Sequence, residues 1–278
     1  MSDFKAYIPN VHFELIPICN LVSNQDYQRS LSQRHINRTA AGFDLFQINP
    51  VKVSRRDKQN YVINGQHTIE IIAAVSGSRE IPVWCMVYDN LDYLHEADIF
   101  AQQQKYTKPL SAYEIFMANL EADSDKHIMI KSIVEQCGLH LTISSSKTNG
   151  GIGAVVSLLE IYERYGYDGL ERTLRLIVST WEGESASLTS SMLRGLALLI
   201  ATFEDSLKDD VFAGRVGTIS AREITRTARE RRAGSIGYAE TMLLLYNKKT
   251  KSTLSMTKLH MPQKKSTLEQ GLDIKSKI

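Results

Sequence analysis

Five residues that could hold an anion follow one another in a short stretch of the sequence: Asn64, Gly65, Gln66, His67 and Thr68. Residues 61–63 before them are β-formers, and apolar residues recur at helical spacing from Thr68 to a glycine stop at Gly77. The pattern predicts a strand, a tight glycine turn and a helix. The first N–H groups of a helix have no partners within it, and the helix dipole adds a partial positive charge. The turn is therefore predicted to bind a phosphate or carboxylate group.

Two side chains at this turn could also take part in catalysis. His67 could act as a general acid or base, because the pKa of a histidine is easily shifted across neutrality. Glu70 lies one helical turn further on. Each has a structural alternative that the sequence leaves open: His67 could stabilise the turn by hydrogen bonding, and Glu70 could form a structural salt bridge with Arg29 if the two share one pocket. The sequence shows no catalytic triad, zinc-ligand cluster or paired-carboxylate motif, so no metal ligands are predicted.

A second group of candidate residues lies in 220–232, where a capping box of Ser220 and Glu223 predicts the start of a helix. Four arginines on or beside one stripe of this helix are candidates for DNA binding: Arg222, Arg226, Arg229 and Arg232. Guanidinium groups at this spacing can contact successive phosphates or guanine edges in a major groove. The alternative is a solvated helix face, partly neutralised by a pair between Arg226 and Glu230.

The composition excludes several classes of protein. With 278 residues, 43% hydrophobic and 23% charged, the chain resembles an ordinary globular protein. A net charge of +2 means that any basic surface must come from local clustering. Three scattered cysteines indicate reduced thiols, and the N-terminus lacks a secretory signal pattern. The apolar run 192–203 is too short to span a membrane and contains Arg194. A cytoplasmic protein with no membrane segment is therefore predicted.

The elements that must position these residues divide the sequence into three parts. Residues 1–110 alternate short strands and helices, which predicts a small mixed α/β domain. Residues 111–246 are predicted to be all-helical, with a capping box of Ser111 and Glu114 at the start and a helix stop at Gly166. The lysine-rich segment 247–278 is predicted to be a disordered tail, which either adds affinity for phosphate backbones or only aids solubility. The predicted fold class is α+β.

The predicted strand, the Asn-Gly-Gln-His-Thr turn and the helix after it resemble the signature turn of the ParB/sulfiredoxin superfamily, in particular of the ParB N-terminal domain. Further segments resemble that domain in the same order: 13–18, 26–29, 48–53 and 81–87. An ordered series of matches over about residues 11–116 is more specific than one short motif. The resemblance implies a ParB/sulfiredoxin-like fold for this part of the chain, in a protein of phage, plasmid or mobile-element type.

The resemblance also implies ligands and partners. A nucleotide such as CTP, ATP or ADP, with Mg²⁺, would lie at the turn, contacted by residues 64–68 and by Arg29, Gln103 and Gln104. ParB proteins carry an acidic residue and an Asn where this chain has Gln103 and Gln104, so the carboxylate is missing here. DNA is the implied partner, and a homodimer is the implied assembly.

Departures from the family pattern leave different functions open. Gln66 replaces the cysteine of sulfiredoxin, which excludes thiol-based reduction. His67 and Thr68 replace two arginines of ParB, which removes two strong phosphate contacts. The first interpretation is a ParB-like DNA-binding protein that responds to a nucleotide or has lost that response. The second is an enzyme on the same fold, a phosphotransferase, kinase or nuclease acting at residues 65–68, because one fold hosts several chemistries. An interaction module with a vestigial pocket is the third.

Overall fold

The computed structural model of the protein describes residues 10–23, 30–89, 91–106, 108–143, 149–248 and 253–261. The chain divides into two compact units, Met1–Pro109 and Leu110–Ile278. The first unit contains a mixed sheet with helices, and the second is built mainly of helices. The predicted α+β fold class is confirmed.

The first unit is organised around a five-stranded sheet. Its strands are β1 Val11–Pro17, β2 Leu21–Ser23, β3 Val51–Arg56, β4 Gln59–Asn64 and β5 Pro82–Asp89. They lie in the order β1-β5-β3-β4-β2, with antiparallel pairs β1/β5 and β3/β4 and parallel pairs β3/β5 and β2/β4. Asp57 and Lys58 connect β3 to β4 with φ angles of 52° and 62°. Two consecutive left-handed residues are typical of the tight turn that matches the twist of a hairpin. β3 and β4 therefore form a β-hairpin.

In the described residues of this unit, three α-helices accompany the sheet: α1 Gln33–Ala41, α2 Gln66–Ser76 and α3 Tyr93–Tyr106. The core of the unit lies where α2 covers one sheet face. Its buried residues are Ile16, Ile18, Val51, Val53, Val62, Ile69, Val83, Cys85 and Val87. Because side chains alternate along a strand, Val51 and Val53 point into this core while Lys52 points to the opposite face.

The second unit consists of seven helices within the part of the chain that the structure describes, together with a short parallel strand pair. The helices are α4 Ala112–Glu121, α5 Asp125–Gln136, α6 Val155–Trp181, α7 Ser190–Phe203, α8 Asp209–Val216, α9 Ala221–Arg231 and α10 Ser235–Asn247, and the strands are β6 His140–Leu141 and β7 Gly151–Ile152. Gly166 interrupts α6 with φ 72° and ψ −168°, where the sequence predicts a stop. The capping box of Ser111 and Glu114 is confirmed at the start of α4.

The tail does not fully follow its prediction. Asn247 donates its side-chain N–H to the Leu254 carbonyl at 2.9 Å and accepts the Leu254 N–H at 3.0 Å. A 3₁₀ helix at Met256–His260 then buries Leu259, whose side chain is 4% exposed. The prediction of disorder is therefore wrong for 253–261, because Leu254, Met256 and Leu259 pack against the helical core and Asn247 binds the backbone of the segment. The lysines at 249, 251, 264, 265, 275 and 277 lie outside the described residues.

No helix among the described residues combines the length and the apolar character that a membrane crossing needs. The apolar run 192–203 instead forms most of α7, and nearly all of its residues are buried within the second unit.

Candidate functional site

The predicted anion-binding turn lies between β4 and α2. Gly65 has φ 110° and ψ 12°, a left-handed conformation that an L side chain rarely adopts. A Cβ atom at this position would lie 3.3 Å from Val51 Cα and both Val51 methyl groups. Only glycine therefore suits both the conformation and the space. The helix begins at Gln66 rather than at Thr68, so Gln66, His67 and Thr68 form its first turn.

His67 connects this turn to the start of another helix. Its Nε2 accepts the backbone N–H of Ser32, the N-cap residue of α1, at 3.2 Å. Its ring meets the ring of His35 edge-on, with centroids 5.4 Å apart. An accepting Nε2 places the ring proton on Nδ1 and makes the imidazole neutral. The first turns of α1 and α2 therefore lie side by side, and the positive ends of two helix dipoles meet at His67.

Glu70 forms a two-bond ion pair with Arg79. The arginine donates from Nη1 and Nη2 to the two carboxylate oxygens at 3.0 and 3.1 Å. The bond to Glu70 raises the pKa of Arg79 above its ordinary value, against a smaller effect of burial. Both oxygens of Glu70 are therefore used within the unit. Arg29 is the arginine that was expected near this site, and it lies outside the described residues, so Arg79 is a partner that the sequence analysis did not name.

Lys52, on strand β3, is a positively charged residue near the turn that the sequence analysis did not name. Lys52 lies opposite Asn64 in the β3/β4 ladder, next to a register shift between Lys52 and Val53. Its side chain is partly exposed, and no carboxylate among the described residues lies within 4 Å of its ammonium group. The alternation of Val51, Lys52 and Val53 signals which face Lys52 occupies, but its position beside Asn64 depends on strand register, which the sequence alone does not fix.

Helix α3 carries Gln103 and Gln104 in its last turns. Gln103 is half-buried, and the side chain of Gln104 lies outside the described residues.

The same helix contributes an unpredicted buried charge: Glu96 has no exposed side-chain surface and accepts a 2.7 Å bond from Arg56 Nε. That bond raises the pKa of Arg56, and the guanidinium carbon lies 3.9 Å from the centre of the Tyr61 ring. Among the described residues, no group of three or more His, Cys, Asp and Glu side chains could hold a metal ion.

In the second unit, α9 separates a buried face from an arginine face. Ala221, Ile224 and Ala228 are buried, and Ser220 caps the helix by accepting the Glu223 N–H at 3.3 Å. The side chains of Arg222 and Arg226 are 81% and 71% exposed. A turn of 100° per residue places Arg222, Arg226 and Arg229 within one narrow stripe away from the buried face.

The arginines of α9 have only loose acidic partners. Arg222 lies 3.6 Å from Glu184. Arg226 lies 3.5 Å from Glu223, one turn back along the helix. The predicted pairing of Arg226 with Glu230 is therefore wrong. Arg232, just after the helix, lies 3.7 Å from Glu240, whereas Arg229 is exposed with no carboxylate within 4 Å among the described residues. The exposed pairs of Arg222 and Arg226 contribute about 0–1 kcal/mol each, so another anion can displace them, whereas Glu240 is buried.

The two units and their sites define a protein of the α+β class with a glycine turn at the start of one helix and an exposed arginine stripe on another. Within that class the chain belongs to the family of unknown function DUF6551, whose model matches residues 22–259. No curated protein matches the sequence.

Two solved structures show a weak likeness. One is the C-terminally truncated chromosome-partitioning protein ParB from Caulobacter crescentus complexed with CTP-γ-S. It is 14% identical, with a TM-score of 0.35 over 83% of this chain and 98% of that chain. The other is the same truncated protein complexed to the centromeric parS site, also 14% identical, with a TM-score of 0.27 over 78% of this chain and 99% of that chain. A likeness of this size transfers no site residue from ParB to this chain.

Proposed function

We propose that the protein is a ParB-like DNA-binding protein and that it contacts DNA through the arginine stripe of α9. The observation that carries the proposal is the position of Arg222, Arg226 and Arg229, which lie on the face opposite Ala221, Ile224 and Ala228. The buried face fixes the rotation of the helix about its axis. The arginine face is consequently presented to solvent in one defined orientation.

The chemistry of this stripe suits a polyanion better than an isolated anion. Successive guanidinium groups follow the helix at a pitch of about 5.4 Å, and each can donate two parallel hydrogen bonds to a phosphate. Their present carboxylate partners are mostly exposed and lie 3.5–3.6 Å away, so little free energy is lost when a phosphate replaces them. The ParB resemblance of the first unit supports the same function independently.

Binding to duplex DNA across a salt series tests this proposal. We expect the affinity of the wild-type protein to fall steeply with salt, because bound arginines release counterions from DNA. Replacing Arg222 and Arg226 together by Gln should lower the slope of log affinity against log salt by about 0.9 per lost phosphate contact. Arg175→Gln is the matched control, since Arg175 is an exposed arginine on α6 whose carboxylate partner is Glu171. Equal slopes for the double variant and the control would contradict the role of α9.

We further infer that the glycine turn holds a phosphate group of a nucleotide, which would make DNA binding responsive to that nucleotide. The specific observation in favour is the meeting of the first turns of α1 and α2 at His67, with Lys52 beside Asn64. Backbone N–H groups and the Thr68 hydroxyl at the turn can donate to a phosphate, and Lys52, beside Asn64 on the other face of the sheet, adds a positive charge nearby. When bound, the nucleotide would supply the negative charge that these groups are positioned to meet.

Calorimetric titration with CTP, ATP, ADP and AMP, with and without Mg²⁺ and duplex DNA, tests this second inference. We expect micromolar binding of at least one nucleotide, weakened several-fold by Lys52→Gln. Lys58→Gln is the control, because Lys58 is an exposed lysine of the same hairpin that lies in its connecting turn. Absence of heat with every nucleotide, beside salt-sensitive DNA binding, would leave a DNA-binding protein without a nucleotide response.

A further inference from the structure

A pocket with two arginines lies in the second unit, apart from the arginine stripe. It has a volume of about 70 Å³ and is lined by α6, α7 and the start of α10, including Glu160, Arg164, Tyr165, Arg194 and Ser235. Since about 10–15 Å³ already holds a water molecule, the pocket has room for a group of several heavy atoms.

The charges of the lining match a singly charged anion. One carboxylate, Glu160, faces two guanidinium groups, so the lining carries a net charge of +1. Arg194 Nε lies 2.7 Å from a carboxylate oxygen of Glu160, an ion pair that keeps Arg194 at the pocket although Nε itself is buried without a hydrogen bond among the described residues. Arg164 is exposed, and no carboxylate among the described residues lies within 4 Å of it. A phosphodiester carries one negative charge, which this lining would neutralise.

Close helix packing explains why these side chains converge. A Cβ on Gly195 would lie 2.6 Å from Tyr238 Cβ and 2.9 Å from the Ser235 carbonyl oxygen, so α7 touches the first turn of α10 at this residue. Arg194 is therefore placed beside Ser235. A larger residue at position 195 would push the two helices apart and open the pocket.

The pocket adjoins the end of the arginine helix. Only three residues, Arg232 to Gly234, separate the last residue of α9 from Ser235 at the start of α10. A chain segment of this length spans at most about 14 Å. A DNA strand that follows the arginine stripe can thus reach the pocket within a few nucleotides, since its phosphates repeat about every 3.4 Å along the helix axis.

We propose that this pocket binds a phosphodiester group of DNA and anchors the strand that α9 contacts. Arg164 and Arg194 donate to the phosphate oxygens, and the ion pair with Glu160 keeps Arg194 at the pocket. The proposal rests on the proposed function, because it extends the same DNA surface from α9 to α6 and α7. A contact of this kind adds affinity that is independent of base sequence.

The test compares salt dependence among full-length variants. Arg164→Gln, alone and together with Arg194→Gln, should lower the slope of log affinity against log salt by about 0.9. Between about 50 and 200 mM salt, the variant would then lose about threefold less affinity than the wild type. The loss of affinity should be the same for unrelated duplex sequences. Arg175→Gln, on the same helix but outside the pocket, should retain the wild-type slope.

Three outcomes would overturn the proposal, and they are distinguishable. Pocket variants with the wild-type slope, beside an α9 double variant with a reduced slope, refute the pocket and leave the proposed function intact. Wild-type protein that binds no DNA refutes both. Inorganic phosphate provides the third measurement: ³¹P line broadening that is lost in Arg164→Gln, with an unchanged DNA slope, assigns the pocket to a free phosphate instead. Arg164 has no carboxylate partner within 4 Å among the described residues, so Arg164→Gln should fold normally and keep the test valid.

Discussion

At the scale of single residues, Gly65 combines a left-handed backbone with a close neighbour, and the two effects can be separated. Gly65→Ala should lower the free energy of unfolding by about 1–3 kcal/mol, because its Cβ meets Val51 while the backbone stays at φ 110°. Gly77→Ala tests the backbone effect alone, since φ is 69° there and nothing lies within 4 Å of the added Cβ. Urea unfolding followed by circular dichroism measures both losses.

The control for this pair is Gly42, which ends α1 at φ −116° with open space around its Cβ position. Gly42→Ala should be neutral or stabilising by up to about 1 kcal/mol. A loss at Gly65 no larger than that at Gly77 would show that Val51 yields without cost, and that glycine is needed there for its backbone alone.

A single buried histidine makes the stability of the second unit depend on pH. Burial lowers the pKa of His127 below its ordinary value of 6.5, and neighbouring Lys126 lowers it further, against an opposing effect of Glu163. Below about pH 6.5 the unfolded chain takes up a proton before the folded chain does. Stability should therefore fall as the pH decreases from about 6.5 through the folded pKa, and this contribution should be constant above that range.

Urea midpoints at about pH 7.5 and about pH 5.5 check this expectation. His127→Gln removes the titrating group, so its midpoint should change less between the two pH values than that of the wild type. His95→Gln is the control, because His95 is exposed in α3 of the first unit. An unchanged pH response in His127→Gln would exclude this histidine as a source of the effect.

The sequence indicates which residues form the glycine turn, but not what holds their side chains. The β-formers, the Asn-Gly pair and the apolar spacing are local signals, and they correctly predict a strand, a turn and a helix. The partners of His67 and Glu70 are Ser32 and Arg79, and Ser32 is 35 residues away in the chain. Pairing over that distance depends on how α1 packs beside α2, which no local pattern encodes.

At the scale of elements, the buried pair of Arg56 and Glu96 connects the β3/β4 hairpin to α3. Arg56→Met should destabilise the first unit by about 3–5 kcal/mol, because it leaves a carboxylate with no exposed surface and no counter-charge. Arg55→Met is the matched control on the same strand: Arg55 pairs with Glu14, which is 43% exposed, so the loss should be about 0–1 kcal/mol.

Chemical unfolding of the two variants measures both losses of stability. Similar losses for Arg55→Met and Arg56→Met would show that the Glu96 carboxylate reaches water once its partner is removed. Restoration of most of the stability by the second substitution Glu96→Gln would confirm that the unpaired charge is the cause.

The segment 253–261 offers a second test at this scale. Leu259→Ala should cost about 2–5 kcal/mol, since Leu259 is buried against the helical core, whereas Met261→Ala, at an exposed methionine two residues later, should be nearly neutral. Thermal unfolding checks both variants. Equal melting temperatures for Leu259→Ala and the wild type would mean that the segment contributes nothing to stability and that disorder is the better description.

The sequence predicts the ends of helices well where an end depends on a local backbone conformation or a local hydrogen bond. The stop at Gly166 and the capping box of Ser111 and Glu114 depend on local conformation and local hydrogen bonds, so the sequence contains the necessary information. The sequence does not predict the docking of 253–261, because three apolar residues spaced among polar ones in a lysine-rich tail are too weak a signal in composition. They become decisive only when α7 and α10 provide a surface for them.

At the scale of the whole molecule, the two units have separate hydrophobic cores. One consists of residues between 16 and 87, and the other of residues between 116 and 259. The change from alternating strands and helices to amphipathic helices allowed this general division to be predicted. The buried charge of Glu96 could not be predicted, because a helix of low amphipathicity does not reveal which face it buries.

Separate cores imply that substitutions in the two units act independently. Arg56→Met and Leu259→Ala alter different cores and share no partner, so their effects should add within about 0.3–0.5 kcal/mol in the double variant. Hydrogen exchange read by mass spectrometry localises each effect. Arg56→Met should speed exchange within the first unit, in β3, β4 and α3, and Leu259→Ala within the second unit, in 253–261, α7 and α10. Faster exchange in β3 after Leu259→Ala would mean that the units stabilise each other, in which case a ligand bound to one unit could also alter the stability of the other.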